Sequence, residues 1–224
     1  MGAVAQGVTG LGFSLVCAPI LIAVLGPREG VRTALVLSTC LNVALLVRTH
    51  RSVLVREGAL LLVPAMAATP LLAWGSRRVD GRVLTFVAGV ATVLSAAALL
   101  SGLRWDRARR SPAAAVAAGV VSAAMNVVGS IGGPALALYS VNAGWPGARA
   151  RPTLQVIFLL SNVVAMASLG LPRFTSRWWG FGLALAAGWV VGLAVARRVP
   201  ERAARVATLG IAAAGGLVAV LRAL

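Results

Sequence analysis

The chain has 224 residues, of which 59% are hydrophobic and only 12% charged. A single soluble core cannot hide that much apolar surface, so the solvent that accepts it is a lipid bilayer. The charge balance is 21 basic residues, all Arg, against 5 acidic ones, and the Arg fall in short gaps between apolar runs; that is a pattern of headgroup-anchored loops, and it argues against nucleic acid as a partner.

Eight apolar runs follow in order. They are Ala3–Leu25, Thr33–Val47, Gly58–Trp74, Val83–Gly102, Ala113–Trp145, Thr153–Leu171, Trp178–Ala196 and Val206–Leu221. A helix needs about 20 apolar residues to span a bilayer, so several of these predict short or tilted helices. Trp74, Trp105, Trp145, Trp178 and Trp179 stand at run ends, where an amphipathic indole prefers to lie. Trp189 is the exception. Cys17 and Cys40 lie inside runs and read as packing residues rather than a disulfide. The N-terminus has no basic leader segment of the signal-peptide kind.

The chain also matches itself. A shift of 120 residues carries Asn42 onto Asn162, Gln6 onto Asn126, Gly12 onto Gly132 and Thr33 onto Thr153. The same shift carries Arg77-Arg78-Val79 onto Arg197-Arg198-Val199, and Arg82 onto Arg202. This predicts two repeats, residues 1–104 and 105–224, with a site where they meet. The fifth run begins at Ala113, whose counterpart would precede Met1, so the opening helix of the first repeat is expected to be short of its first turns.

Each repeat opens on a glycine-rich motif. The first is Gln6-Gly7-Val8-Thr9-Gly10-Leu11-Gly12-Phe13, with Pro19 beyond it. The second is Asn126-Val127-Val128-Gly129-Ser130-Ile131-Gly132-Gly133-Pro134. Glycine permits positive φ and close approach, and Pro134 removes a donor and disfavours helix just before it. Gly132-Gly133-Pro134 therefore predicts a helix broken inside the membrane. Freed backbone groups are tolerated there only where protein or water meets them, which makes the break a candidate ligand site. A helix beginning after the break offers amides and positive dipole to an anion. For the first motif, glycine packing between helices and a break are both open.

The residues expected to bind substrate are Gln6, Gly10, Gly12, Asn126, Ser130, Gly132, Gly133 and Pro134, with Asn42 and Asn162 behind them. The glycines and Pro134 shape the backbone, while the amides and Ser130 donate hydrogen bonds. Thr39, Gln155, Ser161 and Tyr139 are weaker candidates. Glu29, Glu57, Asp80, Asp106 and Glu201 all lie in or at the edges of loops. That disfavours a carboxylate proton relay and a hard-cation site, and it favours an anionic substrate. His50, the only histidine, lies in an Arg-rich gap and reads as a loop residue. There is no metal-ligand cluster, no Gly-x-Ser-x-Gly and no phosphate-binding loop, so neither catalysis nor a cofactor is expected.

If all eight runs cross the membrane, loop Arg divide 11 against 10. If the first and fifth are instead re-entrant, the division becomes 13 against 8 and the repeats are inverted. Only the second arrangement gives a positive-inside bias.

These motifs, their order and the repeat resemble the TauE/SafE family of sulfite and organosulfonate exporters, over essentially the whole chain. The match rests on the opening Gln-Gly-x-x-Gly-x-Gly-Phe, on Gly129–Pro134 and on the Arg-Arg-Val-x-x-Arg loops. The chain departs in having Gly-Leu-Gly-Phe where a fuller glycine run is common. The resemblance implies an all-α polytopic permease of about eight segments in a prokaryotic cytoplasmic membrane, moving small sulfur-containing anions. A homo-oligomer is compatible with it. The alternatives are a non-transporting accessory or assembly protein, which predicts a sealed bundle whose midplane polar residues pair only with each other, and a permease for a different small solute or ion.

Overall fold

A computed structural model describes residues 2–9, 12–49, 52–103, 111–196 and 198–224. Among them the chain forms ten helices. The first repeat has α1 (Gly2–Thr9), α2 (Phe13–Leu25), α3 (Pro27–Thr49), α4 (Val55–Ser76) and α5 (Gly81–Leu100). The second has α6 (Pro112–Gly129), α7 (Gly133–Asn142), α8 (Gly147–Leu169), α9 (Arg177–Ala196) and α10 (Glu201–Ala223). Shifted by 120 residues, α2 starts where α7 starts, and α3 falls on α8 from first residue to last. His50 and the boundary at residues 104–105 lie outside the described residues.

The helix ends are written in the sequence. The Asp80 carboxylate accepts from the Arg82 amide at 2.7 Å, capping α5. Ser111 caps α6 by accepting from Ala114 N at 3.2 Å, and Pro112 occupies the first turn, where its missing donor costs nothing. Gly26, Gly144 and Gly170 follow helix ends with φ of 84°, 71° and 90°, a conformation that favours glycine. The helix α3 starts at Pro27, well before the apolar run at Thr33. Its first turns carry Arg28, Glu29 and Arg32, which belong at headgroup level.

Two of the eight runs do not form one helix each. The first splits into α1 and α2, the fifth into α6 and α7. Each pair folds back as a hairpin. In the first, Gln6 of α1 lies against the start of α2, its Oε1 accepting from Phe13 N at 3.0 Å. In the second, Asn142 at the end of α7 donates to Leu103 O at 3.1 Å, just past the end of α5. Thr153 in the second turn of α8 accepts from Leu54 N at 2.8 Å, just before α4. At the opposite end Arg173 N, after α8, donates to Glu29 at the start of α3. Arg222 of α10 there reaches Ala23 O at 3.2 Å. So α3 begins at one end of the bundle and α8 at the other, and the repeats are inverted. These ends are called here the Pro27 end and the Gly147 end.

Among the described residues seven helices are long and apolar enough to cross a membrane: α3, α4, α5, α6, α8, α9 and α10. The shorter α2 is also apolar. Their outer faces carry bare apolar side chains, among them Val63, Leu71, Leu94, Leu183 and Leu217, as a lipid-facing surface requires. Arg78 stacks over the Trp74 ring at 3.5 Å, and Trp178 Nε1 donates to Arg173 O at 3.0 Å. Both indoles thus sit at the Pro27 end with one edge polar and one face apolar. Trp189 packs against the buried cluster of Ala3 and Phe13.

Candidate functional site

The two hairpins place two helix N-termini inside the bundle. The helix α2 points its start inward from the Pro27 end, and α7 from the Gly147 end. Between them is a small cavity, about 30 Å³ counted at the centres of water-sized spheres. One water needs roughly 10–15 Å³ on that measure, so the space suits two waters or an ion of a few atoms.

Eight of the ten residues expected from sequence line this cavity: Gln6, Asn42, Asn126, Ser130, Gly132, Gly133, Pro134 and Asn162. Gly12 does not; it lines a neighbouring cavity instead. Gly10 lies outside the described residues. The hydrogen bonds follow the repeat. Gln6 Nε2 donates to Asn42 Oδ1 at 3.3 Å, and Asn126 Nδ2 donates to Asn162 Oδ1 at 3.1 Å. Each bond ties an opening helix to the long helix that follows it.

The pairing leaves donors over. Asn42 Nδ2 and Ser130 Oγ have no hydrogen-bond partner, and both residues are at least 98% buried. An unsatisfied buried donor costs about 1–3 kcal/mol. Both residues line the cavity, and a turn of either side chain toward a guest that accepts hydrogen bonds would satisfy its donor. The helix α7 also begins with no side-chain cap. Among the described residues no acidic side chain lines the cavity.

The break is built differently from the sequence expectation. Neither Gly12, Gly132 nor Gly133 has positive φ; the residue in the left-handed region is Ser130, at φ 55°. That conformation costs a non-glycine residue roughly 1–2 kcal/mol. Ser130 closes α6 there, its amide donating to Asn126 O at 2.8 Å. Gly132 is required for contact rather than for torsion. A Cβ on it would lie 2.7 Å from both the carbonyl and the hydroxyl oxygen of Ser122, which itself donates to Gly132 O at 2.9 Å. At Gly133 a Cβ would meet only the Phe158 ring edge, at 3.6 Å. The absent side chain there is cavity space.

The weaker candidates separate. Thr39 turns its hydroxyl to Leu35 O of its own helix. Tyr139 packs edge-on against Trp145, centroids 6.1 Å apart, away from the site. Ser161 is buried outside the cavity, and Gln155 lines the larger cavity beside it. Sequence reasoning missed Ser14, Ser38 and Phe158. Asn162 Nδ2 donates to Ser38 Oγ at 3.4 Å, and Ser14 Oγ donates on to Ser38 Oγ at 3.4 Å. This chain joins the two halves. Ser38 was findable as the residue one helical turn before Asn42. The repeat hid it, because its counterpart Phe158 is apolar.

The model of the sulfite exporter TauE/SafE family matches residues 1–219. The chain belongs to the TauE/SafE family. Comparison with curated proteins and with solved structures gave no match. TauE/SafE membership and the apolar helices make this a multi-pass membrane transporter, with the bilayer as its surroundings and a small solute as its cargo. TauE/SafE is a family of transporters, not of enzymes.

Proposed function

We propose that this TauE/SafE protein exports sulfite, or a close oxyanion analogue, across the cytoplasmic membrane from the cavity between α2 and α7. Two repeats, residues 1–104 and 105–224, each contribute one hairpin to the site. The observation that carries the reading is the cavity itself: two helix N-termini meet there from opposite ends, two buried donors are unpaired, and no described carboxylate lines it. Helix dipoles and unspent N–H and O–H groups favour an anion. Binding is assigned to Asn42, Ser130 and the first amides of α7. Gln6, Asn126 and Asn162 hold the two long helices in place around it. The cavity's size favours sulfite over sulfoacetate. The excess of Arg assigns the Gly147 end to the cytoplasm.

A sealed accessory bundle is the competing reading, and its midplane polar groups are expected to satisfy one another. Asn42 Nδ2 and Ser130 Oγ speak against it. The test is flux of radiolabelled sulfite and sulfoacetate in proteoliposomes. Sulfite flux above that of empty liposomes is expected, and Gly133→Leu, which fills the cavity, should abolish it without loss of membrane-inserted protein. Unimpaired flux in that variant would refute the site.

A further inference from the structure

Between the midplane site and the Gly147 end lies a second cavity, about 180 Å³ on the same measure. Its walls include Leu99 of α5, Val141 of α7, Arg151 and Gln155 of α8, and Arg205 and Thr208 of α10. Among the described residues Arg151 and Arg205 are the charged ones that line it. Arg205 Nη2 donates to Leu99 O at 3.0 Å, which uses one of the five guanidinium donors. Leu15, on the first turn of α2, lines both this cavity and the midplane one. It is 97% buried and forms an apolar partition between them.

We propose that this cavity is a second anion site, a recruiting vestibule in which Arg151 and Arg205 collect the oxyanion before it passes Leu15. The proposal rests on the anion-exporter reading and adds its entry side. A cleft lined by charge of one sign concentrates counter-ions and raises their arrival rate. Guanidinium is well suited to a small oxyanion, because its paired donors match two oxygens at once.

The other end is built without this device. One repeat away, Arg151 becomes Val31 and Arg205 becomes Thr85. The described arginines at the Pro27 end lie among acids, and they are held by backbone contacts as Arg205 is. Arg32 faces Glu29 at 4.0 Å, Arg28 donates to Arg77 O at 2.9 Å, and Arg77 donates to Ser168 O. The surface concavity there is lined by Glu29 and Asp80 as well as by Arg28, Arg32 and Arg173. An anion is therefore concentrated at the Gly147 end, which makes that end the loading side of the proposed exporter.

The test is uptake of radiolabelled sulfite into everted membrane vesicles, which present the cytoplasmic face to the medium. The double variant Arg151→Gln, Arg205→Gln should raise KM roughly five- to ten-fold, the low end of electrostatic steering effects, with kcat within about two-fold of wild type. The fall of kcat/KM with added salt should flatten. The Arg→Lys double variant should restore most of the affinity and the salt dependence. Arg173→Gln, at the opposite end, should leave KM unchanged. Wild-type KM and salt dependence in the Gln double variant, with wild-type flux present, would overturn the vestibule alone. Absence of sulfite uptake by the wild type would overturn the anion reading and the vestibule with it.

Discussion

Ser130 concentrates several costs in one residue. It is 98% buried, its backbone is left-handed, and its hydroxyl has no partner. Glycine would relieve the backbone and alanine would remove the orphan hydroxyl, so stability alone does not favour serine there. A hydrogen bond to a charged guest is worth about 1.5–3 kcal/mol. Ser130→Ala should therefore raise the KM for sulfite by roughly ten-fold or more, at unchanged protein level, since 1.4 kcal/mol is a factor of ten. Thr39→Ala should leave KM alone, because that hydroxyl serves Leu35 O. Equal effects in the two variants would mean that Ser130 acts through packing. The same contrast divides the adjacent glycines: Gly132 faces Ser122 too closely to accept a methyl group, whereas Gly133 has room for one.

At the scale of elements, the hairpins decide the topology. Hydropathy alone gives eight runs, and α6 by itself is long enough to cross. What turns the chain back is the break at 130–132, after which α7 returns to Leu103. Inversion follows, and it separates two loops that simple counting would put on one face. In a background with Cys17 and Cys40 replaced by Ala, single cysteines at Glu29 and at Gly147 should label from opposite sides of the membrane. The one at Gly147 should react from the cytoplasm. Labelling of both from one side would remove the inversion and with it the assignment of faces.

The whole molecule is symmetric in its elements but not in its openings. At the Gly147 end α7 stands off α8 with the vestibule between them; at the Pro27 end α2 packs along α3. Shifting the vestibule lining by one repeat gives Cys17, Leu21, Gly30, Ala34 and Gly89 in place of Ala137, Val141, Ala150, Leu154 and Leu209. That face is shut. A Cβ on Gly30 would lie 2.6 Å from the Ile22 backbone, and one on Gly89 would lie 2.7 Å from Gly216 O. Inverted repeats reach the opposite-facing state by exchanging conformations. Cys17, now packed beside Phe13, should then line the open outer vestibule. With Cys40 replaced by Ala, a water-soluble thiol reagent on the Pro27 side should label Cys17 faster during sulfite turnover than at rest. A rate indifferent to sulfite would exclude this exchange.

The membrane class, the duplication and the polar pairs were legible because each leaves a local mark: apolar runs as long as a bilayer is thick, and amides recurring at a fixed shift where lipid penalises them. Gln6, Asn42, Asn126 and Asn162 stood out for that reason. The choice between eight crossings and two hairpins was not local. The loop arginines permitted both, and the contacts of Asn142 with Leu103 and of Thr153 with Leu54 decided it. Ser14 and Ser38 were invisible to the repeat because symmetry had replaced them with Pro134 and Phe158. Which donors remain unpaired, and which end is open, depend on how α2 and α7 pack between the same long helices. The two halves share only scattered residues, and those that differ, such as Gly30 against Ala150 and Gly89 against Leu209, act through contacts between distant elements, so the asymmetry shows only in the packed bundle, where one hairpin is tight and the other stands away.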